Sequence, residues 1–139
     1  MKSKHLSSAQ GFSLVELLVV IAVIAIIAAI AIPNIANITS GATTAKDQRN
    51  AQNIASIAMA ARAAGYTNEF ASVTALITAL RANDGQGITM TNVNGAALNF
   101  GVNGLVDADA TGAGRFLKIV GTGANNQLVY SQTTNATTN

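Results

Sequence analysis

A short polar and basic stretch ends at Gly11, and an almost unbroken apolar run follows. From Phe12 to Ile32 only Ser13 and Glu16 are polar. As a helix this run spans about 30 Å, the thickness of a bilayer's hydrocarbon core. Beyond it the pattern changes to one-sided. Ile35, Ile38, Ala42 and Ala45 recur three or four apart, and the polar Lys46-Asp47-Gln48-Arg49-Asn50 interrupts them. Ala51, Ile54, Ile57, Ala58 and Ala61 then renew the stripe, with Gly65 placed as a C-cap. One helix from Phe12 to Ala64 is therefore predicted, its first half apolar all round and its second half offering one face for a sheet to cover.

A second helix is predicted over 68–81, with Phe70, Val73, Leu76, Ile77 and Leu80 on one face. Thr67 or Asn68 would cap it and Asn83-Asp84-Gly85 would end it. The period then shifts towards two. Ile88 and Met90; Leu98, Phe100 and Val102; Phe116 with Lys118 opposite; and Leu128 and Tyr130 read as three or four short strands, with Asn94-Gly95 as a hairpin signal. The Thr/Asn-rich end, from Ser131 onwards, lacks the apolar positions needed to order it. The fold class is α+β: a long N-terminal helix packed on a small antiparallel sheet of three or four strands, with a second short helix.

The apolar run has more than one reading. A secretory signal peptide would use Lys2 and Lys4 as its basic start and Ala29-Ile30-Ala31 as its cleavage site, but its apolar region should be shorter and free of acid. A plain membrane anchor, with the bases held in the cytoplasm, accounts for length and orientation. It leaves Glu16 unexplained, since an acid inside a membrane helix costs about 2.5–3.5 kcal/mol at the centre and less near the edge.

Gly11-Phe12-Ser13-Leu14-Val15-Glu16 closely resembles the processing motif of type IV pilins and of the pseudopilins of type II secretion. Those families have a short basic leader, a glycine, an aromatic residue and a glutamate at the fifth position from it. An apolar helix follows, with a proline where this chain has Pro33. The resemblance runs from about Lys2 to Asn34 and implies a pilin-like fold. It implies that a membrane-embedded prepilin peptidase cuts between Gly11 and Phe12 and that the Phe12 amine is N-methylated. It also implies that Glu16 meets the N-terminal amine of a neighbouring subunit and sets register between helices. Pro33, with the helix-poor Thr39-Ser40-Gly41-Ala42-Thr43-Thr44 beyond it, would mark a soft segment like the one that unwinds in related fibres.

Composition narrows the chemistry. Eight Lys and Arg face six acids, and Lys2 and Lys4 lie in the leader, so nothing marks a nucleic-acid surface. With no cysteine there is no disulfide framework or thiolate site, and the two-cysteine loop of many type IV pilins is missing. The single histidine, His5, lies in the leader and the acids are scattered, so no enzyme site is expected. Asp107-Ala108-Asp109-Ala110-Thr111-Gly112 resembles half a calcium loop, with Asp107 and Asp109 as weak ligand candidates. Lys118 stands where the closing acid belongs, and with the ligand set incomplete a solvated acidic hairpin loop explains the segment better. No other cofactor is expected. Asn37-Ile38-Thr39 and Asn135-Ala136-Thr137 match the glycosylation sequon, which means little in so Asn/Thr-rich a chain.

The expected organisation is a cleaved basic leader over 1–11, a transmembrane and assembly helix over 12–33, its periplasmic continuation over 34–65, a small α+β head over 66–131 and a disordered tail over 132–139. The expected function is a structural subunit of a membrane-assembled fibre, most simply a type II secretion pseudopilin. A type IV pilus subunit for adhesion, motility or DNA uptake is the alternative within the family, and an anchored or secreted binding domain is the alternative outside it. Expected partners are copies of itself and other pseudopilins, the prepilin peptidase and methyltransferase, a membrane assembly platform and the lipid bilayer. The expected location is the inner membrane, single-pass with a cytoplasmic N-terminus, and then a periplasmic or cell-surface fibre.

Overall fold

A computed structural model describes residues 11–91 and 94–134. The chain divides into two compact units, 1–40 and 41–139. Helix α1 (Leu14–Ala63) contributes to both, and its stretch up to Ser40 is the only regular element described in the first. The second holds the rest of α1, then α2 (Val73–Gly85), β1 (Ile88–Thr91), β2 (Ala97–Phe100), α3 (Asp107–Gly114), β3 (Leu117–Val120), a 3₁₀ turn at Gly123–Asn125 and β4 (Gln127–Tyr130). The long apolar helix, packed on small antiparallel strands with shorter helices beside them, is a pilin-like α+β fold.

In the second unit the buried face of α1 is Asp47, Ala51, Ile54, Ala55, Ala58 and Ala61. The spacing is helical, and the small alanines let other elements approach the backbone closely. The polar interval of the sequence thus does not break the stripe, because Asp47 continues it one turn before Ala51. A Cβ at Gly112 of α3 would overlap the Asp47 carboxylate, so only glycine permits this approach of α3 to α1. Helix α1 ends in a Schellman motif: the Tyr66 N–H donates to Ala61 O and the Gly65 N–H to Arg62 O, both at 3.0 Å, with Gly65 at φ 101°. The sequence-predicted C-cap is the residue that makes it.

Helix α2 starts later than expected. Ser72, extended at φ −157°, is the N-cap, and its hydroxyl accepts the Ala75 N–H at 3.1 Å. Neither Thr67 nor Asn68 caps a helix. Phe70 is buried, but from the connector: its N–H and C=O are both bonded to the Asn126 side chain and are unavailable to a helix. The helical geometry lapses at Ala82, and Asn83 and Asp84 turn left-handed. The Asn-Asp-Gly signal thus ends the helix where the sequence places its end.

All four expected strand regions form strands, but not one sheet. β1 pairs antiparallel with β2 (Ile88 opposite Phe100, Met90 opposite Leu98), and β3 pairs antiparallel with β4 (Leu117 opposite Tyr130, Ile119 opposite Leu128). The two ribbons are separate, and α3 lies in the connection between β2 and β3. That connection is the segment whose Asp107–Gly112 resembles a loop, so the sequence reading overlooks α3. Val102, expected in β2, is buried just beyond it and donates its N–H to Leu80 O at 2.8 Å. An isolated two-stranded ribbon is marginal in water. These two are held by a common core in which Ile54, Leu76, Leu80, Ile88, Phe116 and Leu128 are buried.

Candidate processing and assembly segment

The leader expected over 1–11 falls, except for Gly11, outside the described residues, as do 135–139 of the expected tail. Gly11, Phe12 and Ser13 precede the first helical residue, and Phe12 is 92% exposed. A peptide bond to be cut must leave regular structure to enter a protease, and the Gly11–Phe12 bond lies outside the helix.

Ser13 and Glu16 both cap the start of α1, in a variant of the capping box in which the serine takes the N–H of Val15 rather than that of Glu16. The Ser13 hydroxyl accepts the Val15 N–H at 3.3 Å, and the Glu16 carboxylate accepts the Ser13 N–H at 3.2 Å. Two backbone donors with no intrahelical partner are thereby satisfied by side chains, as in a capping box. Its signature in the sequence is Ser-x-x-Glu before an apolar run. Glu16 is therefore held beside the start of the helix, where the helix dipole also favours negative charge.

Sixteen large apolar side chains between Phe12 and Ile38 are at least half exposed. Covering them would be worth on the order of 20 kcal/mol at the usual 1.5–3 kcal/mol per buried side chain. That exceeds the about 5–15 kcal/mol stability of a typical domain, so water is not the environment this segment is built for. It is long and apolar enough to cross a membrane.

Pro33 sits inside the unbroken helix. Two polar side chains turn back onto carbonyls around it: Asn34 Nδ2 donates to Ile30 O at 3.1 Å and Thr39 Oγ1 to Ile35 O at 2.9 Å. Neither carbonyl is the one that Pro33 deprives of its donor, which is that of Ala29 four residues back; side chains bonding back onto the helix in this way bend and loosen its ladder slightly.

The carboxylates of the calcium-like segment are on the first turn of α3. Asp107 pairs with Arg81 at 2.7 Å and Asp109 with Lys46 at 2.6 Å. Both face cations, and the pairs tie α3 to α2 and to α1. The Asp109 hydrogen bond, aided by its charge, holds the Lys46 ammonium above its ordinary value of 10.5. Among the described residues no three metal-ligating side chains come together.

One polar node was not foreseen. Asn126, only 2% exposed, accepts from the Phe70 N–H (3.1 Å) and from Arg62 Nη2 (2.6 Å) through Oδ1, and donates from Nδ2 to Phe70 O (2.9 Å). The Arg62 guanidinium lies 4.0 Å over the Phe70 ring, which stacks on Tyr66 with centroids 5.7 Å apart. The node joins the end of α1, the connector to α2 and the turn before β4. No local sequence signal marks it, since its partners are 56 and 64 positions apart.

The family description "Prokaryotic N-terminal methylation motif" matches residues 6–32. No curated protein and no solved structure gives a match. A methylation motif of the prepilin type, leading into a long exposed apolar helix, implies membrane anchoring, processing by a prepilin peptidase and pilus-like assembly. Motif and helix together indicate a type IV pilin-like subunit, structural rather than catalytic, consistent with the type IV pilin and pseudopilin family.

Proposed function

We propose that the chain is a pseudopilin of a type II secretion system. The peptidase removes residues 1–11 by cutting between Gly11 and Phe12, and the new Phe12 amine is N-methylated. The mature protein waits in the inner membrane, with 12–33 as its span and 34–65 continuing outside the cytoplasm. It then polymerises with copies of itself and with other pseudopilins on an assembly platform. Glu16 of one subunit meets the Phe12 amine of another, and only one axial offset between helices allows it. Pro33 and the residues after it supply a segment that can yield as the helices pack.

The exposed apolar surface from Phe12 to Ile38, headed by one carboxylate, carries this reading. Its apolar part tolerates lipid or neighbouring helices equally, and its single acid makes the choice of neighbour specific. The absence of cysteine favours the secretion system over a pilus with a disulfide-closed loop. N-terminal mass spectrometry of membrane-extracted protein tests the processing. A chain beginning at Phe12 and heavier by one methyl group is expected; a start after Ala31, or an intact leader, would overturn it. Loss of secretion, with adhesion and motility retained, in a strain lacking the gene separates the secretion reading from the pilus one.

A further inference from the structure

Among the described residues of the second unit, most charges are already engaged within the chain. Arg81 pairs with Asp107 and Lys46 with Asp109. Arg62 is held by Asn126, Glu69 accepts the Gly123 N–H, and Asp47 is buried against Gly112. One exposed acid has no bonding partner, Asp84, while the exposed bases Arg49, Arg115 and Lys118 have none either.

Asp84 is also held in an unusual backbone. Asn83 (φ 53°, ψ 52°), Asp84 (φ 55°, ψ 35°) and Gly85 (φ 82°) form a run of left-handed residues, two of them not glycine. Each such residue costs on the order of 1–3 kcal/mol and persists where the surroundings enforce it, often at functional positions. Asn83 and Asp84 are exposed there, with the Asp84 carboxylate unpaired, while Gly85 lies close against Asn103.

Two of the unpaired bases, Arg115 and Lys118, border a groove of about 1150 Å³ between α2, α3 and β3, with Val73 and Ile77 among its apolar lining. The groove follows α2 as far as Arg81 and stops short of Asp84, so turn and groove are different patches of the surface. We propose that the Asn83–Gly85 turn of one copy seats in this groove of the next, its Asp84 carboxylate between Arg115 and Lys118. The contact joins two unlike patches. It is therefore heterologous, and repeating it propagates a helical filament instead of closing a dimer. The proposal rests on the fibre reading above and adds a head-to-head contact to assembly through the N-terminal helix.

The chain has no cysteine, so introduced pairs report cleanly. In fibres of the full-length protein, Asp84→Cys combined with Lys118→Cys in one chain should give, on oxidation, a ladder of dimers, trimers and higher species. Either single variant should stay monomeric. Asp84→Asn, which tolerates the left-handed backbone, should lower fibre yield about two- to five-fold, as loss of an accessible ion pair does, and more at low salt. Asp84→Lys with Lys118→Asp should restore it. Fibres that form without a ladder, dimers from either single variant, or an intrachain disulfide in the double variant would overturn the contact and leave the fibre reading standing. Wild-type protein that makes no fibre would overturn both.

Discussion

Replacing Asn126 by alanine should cost the second unit about 3–5 kcal/mol. The side chain is 2% exposed and makes three hydrogen bonds, two to the Phe70 backbone and one from Arg62. Truncation strands the Phe70 N–H and C=O in a buried setting, at about 1–3 kcal/mol for each unsatisfied group, and removes one charge-assisted bond. Arg62 keeps the Asn126 carbonyl, the Tyr66 carbonyl and the Phe70 ring, so its own loss is partial. Set against a total stability of about 5–15 kcal/mol, this is a large fraction. Pulse proteolysis of the detergent-solubilised full chain in urea, reading cleavage after Arg62, measures it. With a slope of about 1–2 kcal/mol per molar, the midpoint should fall by roughly 2 M. Amide exchange at Phe70 should accelerate in parallel. A midpoint shift below about 0.5 M would mean that water replaces the lost bonds at little cost, and the node would not be holding the connector.

Four further outcomes are expected. Glu16→Ala should leave processing at Phe12 intact and abolish incorporation into fibres, read by mass spectrometry and by shearing; normal fibres would refute its role in register. Ser13→Ala should fray the first turn of α1 by about 1 kcal/mol without abolishing assembly, seen as faster amide exchange at Val15. Gly112→Ala should destabilise the second unit by about 1–3 kcal/mol because its methyl meets the Asp47 carboxylate, and Asp47→Ala in the same chain should recover part of the loss in a double-mutant cycle. The Lys46–Asp109 pair raises the lysine's folded value above 10.5, so its contribution is complete below that pH and is lost as pH rises through the raised value. Lys46→Met should flatten the alkaline limb of a urea-midpoint profile.

Periodicity made α1 legible because a helix that faces lipid or one core states its geometry every three to four residues. It located the four strands and the end of α2 for the same reason, aided by Asn-Asp-Gly and Asn-Gly. It failed where a long-range contact decides local structure. Phe70 has the spacing of a helix-face residue, yet Asn126, 56 positions on, takes both its backbone N–H and its C=O. Asp107–Gly112 has loop composition, yet it is helical, with Gly112 serving a close approach to α1 instead of a turn. Overlooking α3 also hid the division of the strands into two ribbons. At the candidate segment, Gly11, Phe12 and Glu16 fall within the matched motif, while the bond between Ser13 and Glu16 is carried only by the Ser-x-x-Glu spacing.

That bond changes what Glu16 can contribute to assembly. An acid left bare in an apolar environment would favour any docking that brings a positive group, whatever the register. Here the carboxylate is already satisfied in part by the Ser13 N–H. Moving it towards a neighbour's amine exchanges one hydrogen bond for an ion pair and gains only the difference between them. A wrong register gives up the internal bond or the apolar packing and returns nothing. The capping box thus lowers the cost of holding the acid in a lone subunit and narrows the arrangements in which leaving it is favourable. In the assembly proposed above, affinity between helices comes from the apolar residues between Phe12 and Ile38, and the role proposed for Glu16 is to select which pairing of them persists.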